Sequence, residues 1–85
     1  ELVQQEQGVH LVAGSMLLID LLDELGLELP ARDEDTVGGL VLSELGRRPR
    51  IGDRVELSSL RFDVVEVQGN RIRTVRLTLP RPARE

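Results

Sequence analysis

Phe62 is the only aromatic residue among 85, and there is no cysteine. Any core must therefore be packed from Leu, Val and Ile, helped by a single methionine, Met16. Such a core is a poor place for a flavin or nucleobase pocket, because those rings usually stack on aromatic side chains. The missing cysteines exclude disulfide staples, thiolate metal sites and a Cys nucleophile together, and fit a reducing compartment. A chain this short supports one domain, which buries roughly 60–65 % of its unfolded surface. The longest apolar run, Met16 to Ile19, falls far short of the ~20 residues that span a bilayer. No leader peptide is visible, and the first residue is Glu rather than Met, so the chain reads as a piece of a longer protein.

Charge is divided along the chain. Residues 1–46 hold ten acids and one Arg, a net of −9, whereas residues 47–85 hold five acids and ten Arg, a net of +5. The halves can attract each other within one fold, the Arg-rich half can meet an acidic partner, or both are solvated faces.

Residues 1–7 have no clear period and read as the end of a linker. Gly8 to Ala13 alternates, with Val9, Leu11 and Ala13 on one face and His10 and Val12 on the other, which predicts a strand. Gly14-Ser15 breaks it, and Ser15 is the expected N-cap of a helix over 16–25. Leu17, Leu18, Leu21, Leu22 and Leu25 form its apolar stripe, and Gly26 ends it. After an acidic loop, Thr36 (or Asp35) caps a second helix over 37–45, closed by Gly46 with Pro49 beyond. Strands are expected at Arg54–Leu57, Leu60–Gln68 and Arg71–Leu79. Ser58-Ser59 joins the first pair and Gly69-Asn70, a hairpin signal, the second. Both long strands change phase: Phe62 and Val64 oppose Val65 and Val67, and Ile72 opposes Val75 and Leu77. Either a bulge near Thr74 realigns them or the sheet is partly covered on both faces. Residues 80–85 carry two prolines and read as a disordered tail. The fold class is α+β, ordered β-α-α-β-β-β: a small, mostly antiparallel sheet with two helices packed on it.

Catalytic chemistry finds little to use. His10 is the only histidine, and its strand alternation places it opposite Val9 and Leu11, at the surface or rim. No serine lies in a Gly-x-Ser-x-Gly setting. Asp33, Glu34 and Asp35 are candidate ligands for a hard cation, or else favour the N-terminal dipole of the following helix. Thr36, Gly38 and Gly39 are candidates for holding an anion at the helix start. The alternative is that the two glycines admit a neighbouring strand. Neither phosphate-loop nor dinucleotide fingerprint is present. Arg47, Arg48, Arg50, Arg54, Arg71, Arg73 and Arg76 form a basic set without interleaved aromatics. With a net charge of −4, nucleic acid is not expected as a partner. An apolar edge at Leu77-Thr78-Leu79 is a candidate surface for a homodimer.

Three segments taken together carry a resemblance. They are Asp35-Thr36-Val37-Gly38-Gly39-Leu40-Val41-Leu42, then Leu45 to Asp53 through Arg47-Arg48-Pro49, then Phe62 to Ile72 through Gly69-Asn70. With the Leu-rich helix ending at Gly26-Leu27, residues 8–79 resemble the transporter-associated domain of the CorC/HlyC family. The resemblance implies a non-enzymatic accessory or regulatory domain at the C-terminus of a haemolysin-like or CNNM-type protein of magnesium and cobalt efflux. Its partners would be a CBS pair and a membrane domain in the same chain, and it would lie on the cytoplasmic face of the bacterial inner membrane. The family's fold resembles a subdomain of the FAD-binding fold of certain oxidases, which implies FAD or an adenine nucleotide as an alternative ligand. No catalytic residue carries over. The family's recurrent Thr36, Gly38, Gly39, Pro49, Gly52 and Gly69 all suit caps, turns and close backbone approach. Ser58-Ser59 departs from the Asp/Asn-Gly turn of relatives.

Overall fold

The computed structural model describes residues 2–6, 8–29 and 34–80. In chain order the elements are β1 (Leu2–Glu6), β2 (Val9–Ala13), α1 (Leu18–Leu25), α2 (Val37–Leu45), β3 (Arg54–Leu57), β4 (Leu60–Gln68) and β5 (Arg71–Thr78). The strands form one sheet in the order β1-β2-β5-β4-β3, antiparallel at every step. The α+β architecture expected from the sequence is present, with one strand more. Leu2–Glu6 is no linker end but an edge strand that pairs with β2. It is the first arm of a local hairpin with β2 that turns at Gly8, and its run Leu-Val-Gln-Gln-Glu lacks the apolar alternation that would have revealed it. Of the expected tail, residues 81–85 lie outside the described residues.

One face of the sheet is apolar and covered. Val12, Val75 and Val64 stand opposite one another across β2, β5 and β4. His10, Leu77, Phe62 and Val55 make the next row. Leu18 and Leu21 of α1 and Val37, Leu40 and Val41 of α2 join the same buried cluster. Phe62 is fully buried, so the single aromatic is spent at the centre of the core. The other face carries charged rows, such as Arg76–Asp63–Arg54 across β5, β4 and β3.

The phase changes resolve as paired bulges. Between Val64 and Val67, β4 carries Val65 as an extra residue and β5 carries Arg73. These two insertions compensate, so Ile72 and Val75 both reach the core face and Val67 packs against it. The bulge expected near Thr74 is therefore there, and Thr74 hydrogen-bonds Glu66 on the open face (2.8 Å).

α1 starts later than expected. Ser15 does not cap it: the helix begins at Leu18, with the extended Leu17 before it and no side-chain cap. The chain at 16–18 is engaged in strand-like pairing first. Met16 O accepts from Val37 N–H (3.0 Å), Leu18 N–H donates to Asp35 O (2.7 Å), and Leu17 bridges to Thr36. Leu17 accordingly leaves the apolar stripe and is exposed. The far end closes as a Schellman motif, with Leu27 N–H on Leu22 O (2.8 Å) and Gly26 N–H on Asp23 O (3.3 Å).

His10 is a further correction. It shares the core face with Val12 and is buried, 8 % exposed, because helices cover the face that alternation alone could not assign. The expected apolar edge at Leu77–Leu79 is corrected too: β5 is the central strand, hydrogen-bonded by β2 and β4 on its two sides.

Candidate functional site

The start of α2 holds Thr36, Gly38 and Gly39 at a three-way backbone crossing. Thr36 is the N-cap, its Oγ1 accepting from Gly39 N–H (3.0 Å). Val37 N–H donates to Met16 O (3.0 Å), Gly38 N–H to Gly14 O (2.8 Å) and Leu40 N–H to Thr36 O (3.0 Å). The first four donors of the helix thus all have acceptors from the protein, and none is left facing outward for a phosphate. The glycines serve close approach. A Cβ at Gly14 would overlap the Ile72 carbonyl oxygen, and one at Gly38 would stand 3.0 Å from Gly14 O and 3.2 Å from Ile72 O. Gly14 N–H in turn caps the bulge by donating to Arg73 O (2.7 Å).

Of the three candidate cation ligands, Glu34 and Asp35 are among the described residues. Asp33 lies outside the described residues. Glu34 sits beside the helix start, its Cβ 3.9 Å from where a Gly39 Cβ would be, and Asp35 contributes its carbonyl to Leu18. Among the described residues, no group of three or more His, Asp or Glu is placed to hold a metal ion.

The arginines sort into two sets that sequence order does not distinguish. Arg47 makes a bidentate pair with Asp53 (2.8 and 3.1 Å), and Arg54 pairs with Asp63 (2.8 Å). The Arg47 guanidinium, helped by the Arg50 N–H (2.7 Å), holds the Asp53 carboxyl below the usual carboxylate range. This clamp shapes the 46–53 loop, which then runs along β4 through Gly52 N–H on Val64 O (2.9 Å) and Val64 N–H on Asp53 O (2.8 Å). The guanidinium groups of the second set bond no carboxylate. Arg48 Nε donates to Asn70 Oδ1 (2.9 Å) and Arg73 to Gln68 Oε1 (3.0 Å), while Arg50 and Arg71 are exposed. The Arg48–Asn70 bond spans 22 residues and draws the loop against the β4–β5 hairpin tip. The arginines stand out in the sequence, but nothing in it signals that they meet.

The transporter associated domain family CorC_HlyC matches residues 3–81. The chain belongs to that family. Among curated relatives, the UPF0053 inner membrane protein YoaE of Escherichia coli K12 is 36 % identical over 77 residues, 88 % of this chain. The chain spans only 15 % of YoaE. Among solved structures, a conserved protein of unknown function from Haemophilus influenzae Rd KW20 superposes with a TM-score of 0.84 at 30 % identity. The match covers 93 % of this chain and 98 % of that one. A region described as associated with a Mg2+ and Co2+ transporter (CorC) from Neisseria meningitidis MC58 gives a TM-score of 0.83 at 27 % identity, covering 92 % and 96 %. With 98 % and 96 % of those two chains covered, each was solved as a unit of about this size.

Proposed function

We propose that this CorC_HlyC domain is the non-enzymatic accessory domain of a membrane ion transporter that exports magnesium and cobalt, and that it regulates that transport. The observation that carries the reading is the family match across residues 3–81. It is supported by the inner-membrane assignment of YoaE, and by the Mg2+ and Co2+ transporter association given for the Neisseria region. No helix among the described residues is long and apolar enough to cross a membrane, so spans would belong to other parts of such a parent. In this reading the domain follows a CBS pair at the C-terminal end, faces the cytoplasm, and has a second copy as a candidate partner.

The fold suits such a role physically. Its prominent residues are caps, close-approach glycines and ion pairs that fix a backbone. They make a rigid body that can be pressed against another domain. Deleting the domain from a full-length parent should leave the membrane protein inserted but change cation export. Cobalt sensitivity and loss of cellular magnesium in a host lacking its own exporters would measure this. Export and tolerance unchanged by the deletion at every cation level would refute the reading.

A further inference from the structure

The β4–β5 hairpin projects beyond its neighbours. β3 pairs with β4 only as far as Asp63, and β2 pairs with β5 only from Thr74 onward. On the β5 side Gly14 and the start of α2 meet the projecting part at Ile72 and Arg73, and the 47–53 loop is tied to the hairpin at Asn70 and Val64. Residues 47–53 and 66–73 together hold five arginines and two acids, in a chain whose net charge is −4. Of the two acids, Asp53 is engaged by Arg47, and Glu66 accepts from Thr74. The guanidinium groups of Arg48, Arg50, Arg71 and Arg73 have no carboxylate partner in any described ion pair or hydrogen bond; Arg50 meets Asp53 only through its backbone N–H. One end of the molecule is thus basic while the remainder is acidic. In the middle of this basic loop stands Ile51, 69 % exposed, between Arg50 and the Gly52 that anchors the loop to β4.

We propose that this arginine end docks on an anionic bilayer surface, with Ile51 entering the headgroup layer. The inference rests on the membrane-protein reading above, which keeps the domain close to a bilayer. Clusters of four or more arginines next to a membrane are attracted by acidic headgroups, and a neighbouring apolar side chain adds insertion to attraction. The acidic remainder is repelled by the same surface, so the charge division also sets orientation, with the hairpin tip toward the membrane. An acidic protein or a nucleic acid would use the arginines but gives no role to a bare isoleucine among them.

The test is co-sedimentation of the 85-residue chain with vesicles of equimolar phosphatidylcholine and phosphatidylglycerol, against phosphatidylcholine alone, at low and high salt. Binding should require phosphatidylglycerol and fall with salt. Each arginine neutralised in Arg48→Gln/Arg50→Gln or Arg71→Gln/Arg73→Gln should weaken it about fivefold. Arg54→Gln/Arg61→Gln, outside the patch, should bind as the parent chain does, with thermal melts confirming that all variants fold. The chain has no Trp, so Ile51→Trp supplies a single emitter whose fluorescence should shift to the blue on anionic vesicles only. No binding at low salt, equal losses in the control pair, or an unshifted Trp would overturn the proposal. So would tighter binding to charge-matched polyglutamate or duplex DNA than to vesicles. The vesicle assay needs no parent protein. Its failure therefore leaves the transporter reading intact, whereas unchanged export on domain deletion ends that reading whatever the vesicles do.

Discussion

Ser58 and Ser59 carry φ of 49° and 71°, left-handed values that side chains other than Gly and Asn adopt at a cost. They occupy the two central positions between Leu57 and Leu60, where a type I′ turn matches the twist of the strands. Ser58→Asn with Ser59→Gly should therefore stabilise the domain by about 1 kcal/mol, raising the melting temperature by roughly 4–8 °C. A calorimetric scan showing no rise would mean that the turn is not strained. Gly14 predicts the opposite. Its missing Cβ makes room for the Ile72 carbonyl, and no rotamer can relieve a clash with backbone. Gly14→Ala should cost about 3 kcal/mol or more in urea unfolding, since the bulge at Arg73 must move as well. In the sequence Gly14 reads only as a strand breaker, because Ile72, the partner that makes it necessary, lies 58 residues away.

At the scale of elements, the 46–53 loop behaves as a clamp built on one carboxylate. Asp53 is bonded by the Arg47 guanidinium and by the Arg50 N–H, which lower its proton affinity in the folded state. A group with a depressed folded pKa contributes fully above its unfolded value, about 3.9 for Asp, and loses that contribution as pH falls below it. Asp53→Asn should melt below the parent at neutral pH. The gap should narrow once pH drops under about 4, because the parent then loses what the variant never had. Parallel pH-melting curves for the two proteins would show otherwise. The elements themselves were largely legible. The α2, β3 and β4 boundaries coincide with those read from period and caps, because their signals are local: Thr36 as cap, alternation, and Gly69-Asn70 as a turn. The start of α1 was not legible, since a bridge to Thr36 claims Leu17 before helix geometry can.

For the whole molecule, one aromatic side chain carries a disproportionate share of the core. A domain of this size is stable by roughly 4–13 kcal/mol. Phe62→Ala should remove about 3–5 kcal/mol of that, and Phe62→Leu about 1 kcal/mol. Urea titration of both variants would check this, and a near-silent Phe62→Ala would mean that the core lies elsewhere. The class of the fold, its aliphatic core, most of its turns and its family resemblance were determined by the sequence alone. Each rests on residues adjacent in the chain or repeating with a fixed period. The tertiary structure decided which face was covered, and so that His10 is buried while Arg54 and Asp63 are not. It made β5 the central strand and β1 an edge, and it brought Arg48 to Asn70 across 22 residues. Those outcomes depend on which distant segments meet, and alternation in a single strand has two faces with nothing local to choose between them.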